Sequence, residues 1–84
     1  MVRLLYFAWV RERIGVAEEA LDIPPDVATV DALIDWLATI SERHEAAFAD
    51  RRRLRAAVDQ HFVSLDAPVQ GAKEIAIFPP VTGG

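Results

Sequence analysis

Thr29-Val30-Asp31-Ala32-Leu33-Ile34-Asp35-Trp36-Leu37-Ala38-Thr39-Ile40-Ser41-Glu42 is the stretch on which the fold turns. Thr29 can accept a hydrogen bond from the orphan amides of a first helical turn, and Asp31 then sits where the helix dipole favours a negative charge. Val30, Leu33, Ile34, Leu37 and Ile40 recur at helical spacing, with Asp31, Asp35 and Thr39 on the opposite, solvent face. The spacing predicts one amphipathic helix over 30–42, with Trp36 packing at the edge of its stripe. A stripe on a single face needs a sheet to lie across, not a ring of neighbours.

The sequence on either side supplies that sheet. Towards the N-terminus, 2–9 is rich in β-branched, aromatic and leucine residues, with Val2, Leu4, Tyr6 and Ala8 on one side of a strand and Arg3, Leu5, Phe7 and Trp9 on the other. Residues 11–15 break the pattern, and 17–23 gives a second extended run, ended by Pro24-Pro25, which cannot continue a ladder. The two runs predict a hairpin. Towards the C-terminus, 45–50 reads as a short second helix and Arg51-Arg52-Arg53 as a charged connection. Extended segments follow at 54–58, 62–65 and Glu74–Phe78, separated by turns at Asp59-Gln60, Asp66-Ala67-Pro68 and Gly71-Ala72-Lys73.

Strand, strand, helix, strand, short strand, strand in so small a chain is best satisfied by an α+β arrangement. About five strands form one mixed sheet whose buried face packs on one main helix, as in a β-grasp, or ubiquitin-like, fold. The last strand then pairs beside the first at the sheet centre. Ile75 and Ile77 face the helix, while Phe78 faces outward with Phe7 and Leu5. Residues 1–78 form the domain and 79–84 a flexible tail.

Composition sets outer bounds. Eighty-four residues allow one domain. Of the 44 hydrophobic residues 14 are alanine, which leaves about 30 larger side chains, enough for one small core. Nine basic against thirteen acidic side chains give a net charge of -4, which disfavours a polyanion and so argues against nucleic acid. There is no cysteine, hence no disulfide, thiolate metal site or cysteine nucleophile. The apolar run 4–10 is far short of a bilayer span and no cleavage site follows a basic segment, so a soluble, cytoplasmic protein without a membrane partner is expected.

The tail is Phe78-Pro79-Pro80-Val81-Thr82-Gly83-Gly84. Two prolines directly after a strand end the ladder and hold the chain extended, so the final residues project from the body. Gly83 and Gly84, without Cβ atoms, can thread a narrow channel and let another protein and a nucleotide approach the last carboxylate. Adenylylation would convert that inert carboxylate into a mixed anhydride open to a thiol, a persulfide or an amine. The chain then acts as a group carrier. The bland alternative is a frayed terminus; the diproline on a β-grasp core favours the carrier.

The same tail resembles the C-terminal signature of the small, sulfur-carrying subunit family of molybdopterin synthase. Leu5-Tyr6-Phe7-Ala8, Val10-Arg11-Glu12, Thr29-Val30 and Ala57-Val58-Asp59-Gln60 extend the resemblance along the chain. Departures are Asp59, where the family often has asparagine, Lys73 in a turn that is usually acidic, and the triple arginine. The resemblance implies that an ATP-dependent activating enzyme adenylylates Gly84 and that persulfide sulfur converts it to a thiocarboxylate. The tail, Pro79, Pro80, Val81, Thr82 and Gly83, then enters the large synthase subunit. Sulfur passes to the cyclic pyranopterin precursor, two transfers completing the dithiolene, in a heterotetramer of two small and two large subunits. ATP and zinc belong to the activating enzyme, so this chain is expected to bind neither cofactor nor metal.

Phe7, Phe62 and Phe78 are expected to form an outward apolar patch near the root of the tail, the kind of surface the family uses against both partners; the competing assignment puts them in the core. Arg11 is placed beside the patch, either facing an acid on a partner or simply solvated. Arg51, Arg52, Arg53 and Arg55 are read as a solvated connection, and neither His44 nor His61 has the companions of a metal or catalytic site. Three other functions remain open: sulfur delivery to thiamin, a tRNA base or an amino acid; a ubiquitin-like protein modifier; and a plain binding module that never activates its end.

Overall fold

The computed structural model describes residues 1–80. Its elements are β1 (Val2–Tyr6), α1 (Ala8–Ile14), β2 (Glu18–Leu21), α2 (Val30–Leu37), α3 (Glu42–Ala47), a 3-10 turn at Arg51–Arg53, β3 (Arg55–Val58), β4 (His61–Val63) and β5 (Glu74–Phe78). The five strands make one sheet in the order β2-β1-β5-β3-β4. β5 runs parallel to β1 and antiparallel to β3, so the last strand lies between the first and third, as the β-grasp reading expects.

Alternation along the central strands separates the two faces. Leu4 pairs with Ile75, and Tyr6 with Ile77, which also pairs with Ala56. These side chains, with Val2, meet Val30, Leu33, Ile34 and Leu37 of α2 in a core that also takes Val10, Leu54 and Val69. Ile75 and Ile77 have no exposed surface. The α2 stripe is held at its start by Thr29, whose hydroxyl oxygen accepts from the Ala32 amide at 3.1 Å.

Predicted strands shift or shorten by a residue or two, β4 to His61–Val63 among them, and the larger departures from the sequence reading, around α1 and between α2 and α3, have local reasons. The extended run predicted over 2–9 stops at Tyr6, and 8–14 is helical. Val10 and Ile14, one turn apart, are its buried residues, and Gly15 closes it at φ 96°, its amide donating to the Arg11 carbonyl at 2.8 Å. β1 and β2 are antiparallel neighbours, as the predicted hairpin requires, but the connection between them is a helix.

The helix predicted over 30–42 is two helices. The Thr39 hydroxyl donates to the Trp36 carbonyl at 2.6 Å, and the Thr39 and Ile40 amides make tight three-residue bonds that end α2. Ser41 then caps a new helix by accepting from the His44 amide at 3.2 Å. Ile40, fifth in the predicted stripe, lies beyond the break and is exposed. The second helix accordingly starts at Glu42 and not at the predicted 45.

Asp31 and Asp35 do face solvent, and both also engage Arg51. Its guanidinium is ion-paired to Asp31 and lies 2.6 Å from Asp35, which ties the 3-10 turn to α2. Among the described residues no helix is long and apolar enough to cross a membrane.

Candidate functional site

The outward face of the sheet carries one apolar row across four strands. Leu5 pairs with Ala76, Ala76 with Ala57, and Ala57 with Phe62, so β1, β5, β3 and β4 each contribute one side chain. Two alanines at the centre and larger groups at the ends make a floor with walls. The result is a concavity of about 590 Å³ lined by Leu5, Phe7, Phe62, Phe78, Pro79 and Pro80 together with Ala57, Gln60, Glu74 and Ala76.

All three predicted phenylalanines are therefore brought together, and none joins the buried core. Phe62 is 82% exposed and Phe7 48%. The Phe62 and Phe78 rings meet edge to face with centroids 5.7 Å apart. Such pairing fixes two walls relative to one another while leaving their outer faces free for a partner. Phe7 reaches the concavity from the extended residue that precedes α1, not from the strand in which it was predicted; its amide donates to the Ile77 carbonyl at 3.4 Å. Ala8, which follows at φ 54°, makes the abrupt change from strand to helix.

The rim is held by polar contacts. Arg3 donates to Glu74 at 2.6 Å and lies 3.8 Å from Glu18. Asp59 and Gln60, at φ 49° and 72°, form the two-residue turn between β3 and β4. The Asp59 carboxylate accepts from the Lys73 amide at 2.9 Å and the Glu74 amide at 3.0 Å, docking that turn against the start of β5. Gln60 thereby stays at the edge of the concavity.

Arg11 is exposed on α1, one turn beyond Phe7, and does not line the concavity. Pro79 and Pro80 do line it, which places the root of the tail at the apolar face. Val81, Thr82, Gly83 and Gly84 lie outside the described residues. The alanine floor was missed in the sequence; the signal was small residues at outward positions of central strands, Ala76 between Ile75 and Ile77 and Ala57 opposite it.

His44 has no catalytic companions but is far from idle. It is 7% exposed, with Nε2 2.7 Å from the Glu19 carboxylate and Nδ1 2.7 Å from the Ser41 hydroxyl. The Tyr6 hydroxyl donates to the same Glu19 oxygen at 2.7 Å. Burial, reinforced by the bond to Glu19, pushes the Tyr6 pKa far above the ordinary value. This network lies under the core face, away from the concavity, and ties β2 to α3. Among the described residues no group of three or more His, Cys, Asp or Glu side chains could hold a metal ion.

Comparison with known proteins agrees with the fold. Residues 4–84 match the ThiS family. The chain is 44% identical over 84 residues to the molybdopterin synthase sulfur carrier subunit of Escherichia coli strain K12, with 100% of both chains covered. A solved Pyrococcus furiosus protein assigned as molybdopterin converting factor subunit 1 superposes with a TM-score of 0.70 at 32% identity, covering 95% of this chain and 97% of that one. The small archaeal modifier protein 1 of Haloferax volcanii superposes with a TM-score of 0.71 at 22% identity, covering 95% and 97%, a likeness of fold alone.

Proposed function

Because the chain belongs to the ThiS family, we propose that it is the sulfur carrier subunit of a molybdopterin synthase, as its full-length relatives are named. A small synthase subunit works with a large one, and the apolar concavity at the root of the tail is the observation that carries this reading. Phe7, Phe62 and Phe78 form its docking walls, and Pro79 and Pro80 start the tail from the same face. Docking the face and inserting the tail are then one event.

The chemistry resides at Gly84. Its carboxylate attacks the α-phosphate of ATP on an activating enzyme and releases pyrophosphate; a persulfide sulfur then displaces AMP, leaving a thiocarboxylate once the S–S bond is cleaved by a thiol. Pro79, Pro80, Val81, Thr82 and Gly83 carry that group into the large subunit, where sulfur passes to the cyclic pyranopterin precursor. ATP is held by the activating enzyme, and this chain binds no cofactor or metal of its own. Its part is positional: a rigid sheet centre holds the root of the tail while narrow residues lead to the reactive atom.

Deleting Gly84 tests this directly. Sulfur transfer to the precursor is expected to be lost while the melting temperature is retained, since among the described residues the buried core ends at Ile77. Extending the chain past Gly84 is expected to inactivate equally. Full transfer by the deleted chain would overturn the carrier function.

A further inference from the structure

The arginines of 51–55, a single solvated run in the sequence, take separate roles in the fold. Arg51 joins Asp31 and Asp35, Arg52 pairs with Asp50 at 3.2 Å, and Arg55 donates to the carbonyls of Leu54 and Arg52. Arg53 instead lies over the Trp9 ring, its guanidinium carbon 4.8 Å from the centroid. Arg13 reaches the same indole at 5.4 Å. Both arginines are exposed, and neither forms a close ion pair among the described residues, although the Asp50 carboxylate, held by Arg52, also feels the charge of Arg53. Two cations gathered on one half-buried indole, in a chain of net charge -4, are a local reversal of the protein's electrostatics.

Their place in the fold gives the reversal a use. Phe7, at the root of α1, is hydrogen-bonded to Ile77, and Arg55, just after the 3-10 turn, pairs with Phe78. The two arginine-bearing segments thus flank the end of β5, where the chain departs as Pro79-Pro80, and Trp9 bridges them. We infer that Trp9, Arg13 and Arg53 form a basic rim that docks on carboxylates of the protein receiving the tail, an inference that rests on the carrier function proposed above.

A guanidinium stacked on an aromatic ring keeps its N–H edge free for a bidentate carboxylate, and the stacking removes part of the freedom that binding would otherwise have to quench. Nucleotide phosphate is the other anion in the cycle, but reach argues against it. Six residues, 79–84, extend up to ~20 Å, so a nucleotide reacting at Gly84 of an inserted tail stands well away from the rim. Carboxylates at the mouth of the receiving channel are at the right depth.

The test is binding of the full chain to the large synthase subunit, titrated at low and high salt, with Arg53→Glu, Arg13→Glu/Arg53→Glu and the control Arg52→Glu. The double variant is expected to bind about tenfold weaker or worse at low salt, with the gap narrowing as the Debye length falls to ~3 Å near 1 M. Arg53→Glu should weaken binding more than Arg52→Glu, although both make the same charge change. Equal effects of these two, or wild-type affinity in the double variant, would overturn the rim. So would a raised KM for ATP in the activating reaction with unchanged large-subunit binding, which would reassign the rim to phosphate. Wild-type chain that fails to bind the large subunit would instead overturn the carrier function, and this inference with it.

Discussion

Tyr6 is the only tyrosine, so its titration can be followed without interference from another phenol. Burial and the Glu19 carboxylate raise its pKa in the fold above the ordinary value of 10. Below about pH 10 both folded and unfolded chains keep the phenolic proton, and this contribution to stability is intact; above it the unfolded chain alone releases the proton, so stability falls as pH rises, with a slope approaching 1.4 kcal/mol per pH unit. Urea midpoints measured across that interval should decline in the wild type and decline less in Tyr6→Phe. Phenolate absorbance developing near pH 10 in a chain that is still folded would contradict the burial argument. Single residues were unevenly legible in the sequence. Thr29 as a cap and Asp59-Gln60 as a turn followed from local chemistry, since the side-chain oxygen and backbone of such residues act within a few positions. Glu19 and His44 did not, because their bond joins residues 25 apart in sequence.

At the scale of elements, the last strand emerged with its bounds correct because prolines and a glycine turn bracket an alternating run. Helix α1 was hidden inside an apolar run that reads equally well as strand; only the Val10 and Ile14 spacing and Gly15 signal a helix that needs a left-handed exit. That exit gives an element-scale prediction. Gly15→Ala forces a side chain onto φ 96°, and its Cβ would approach the Arg43 guanidinium to 2.6 Å. The arginine can move aside but the backbone cannot, so the expected loss is about 1 kcal/mol or somewhat more in a denaturant melt. No loss would mean that α1 ends differently. The α2 overshoot has the converse lesson: Ile40 continues the apolar spacing, yet Thr39 and Ser41 divert the backbone through their own hydroxyls before the helix can use it.

For the whole molecule, the buried core and the apolar concavity lie on opposite faces of one sheet, and the proposed function divides stability and partner binding between them. The inner face holds the fold through Leu4, Tyr6, Ile75 and Ile77, while the outer row ends in Phe62, a side chain 82% exposed. Phe62→Ala should therefore shift stability by no more than about 0.5 kcal/mol and weaken large-subunit binding by about tenfold or more. A large stability loss with unchanged binding would return Phe62 to a structural role. The outward patch was legible because strand parity assigns faces; its concave shape was not, because it depends on which strands neighbour one another, a fact of topology that places Ala76 against Ala57.

The most direct measurement is the intact mass of the chain after incubation with ATP, its activating enzyme and a persulfide donor, followed by fragmentation to locate the change. A sulfur carrier gains the difference between one sulfur and one oxygen, and the gain maps to Gly84. An unchanged mass, with the enzyme shown active on a known carrier, would contradict the thiocarboxylate and leave the outer face of the sheet as a docking surface without that chemistry.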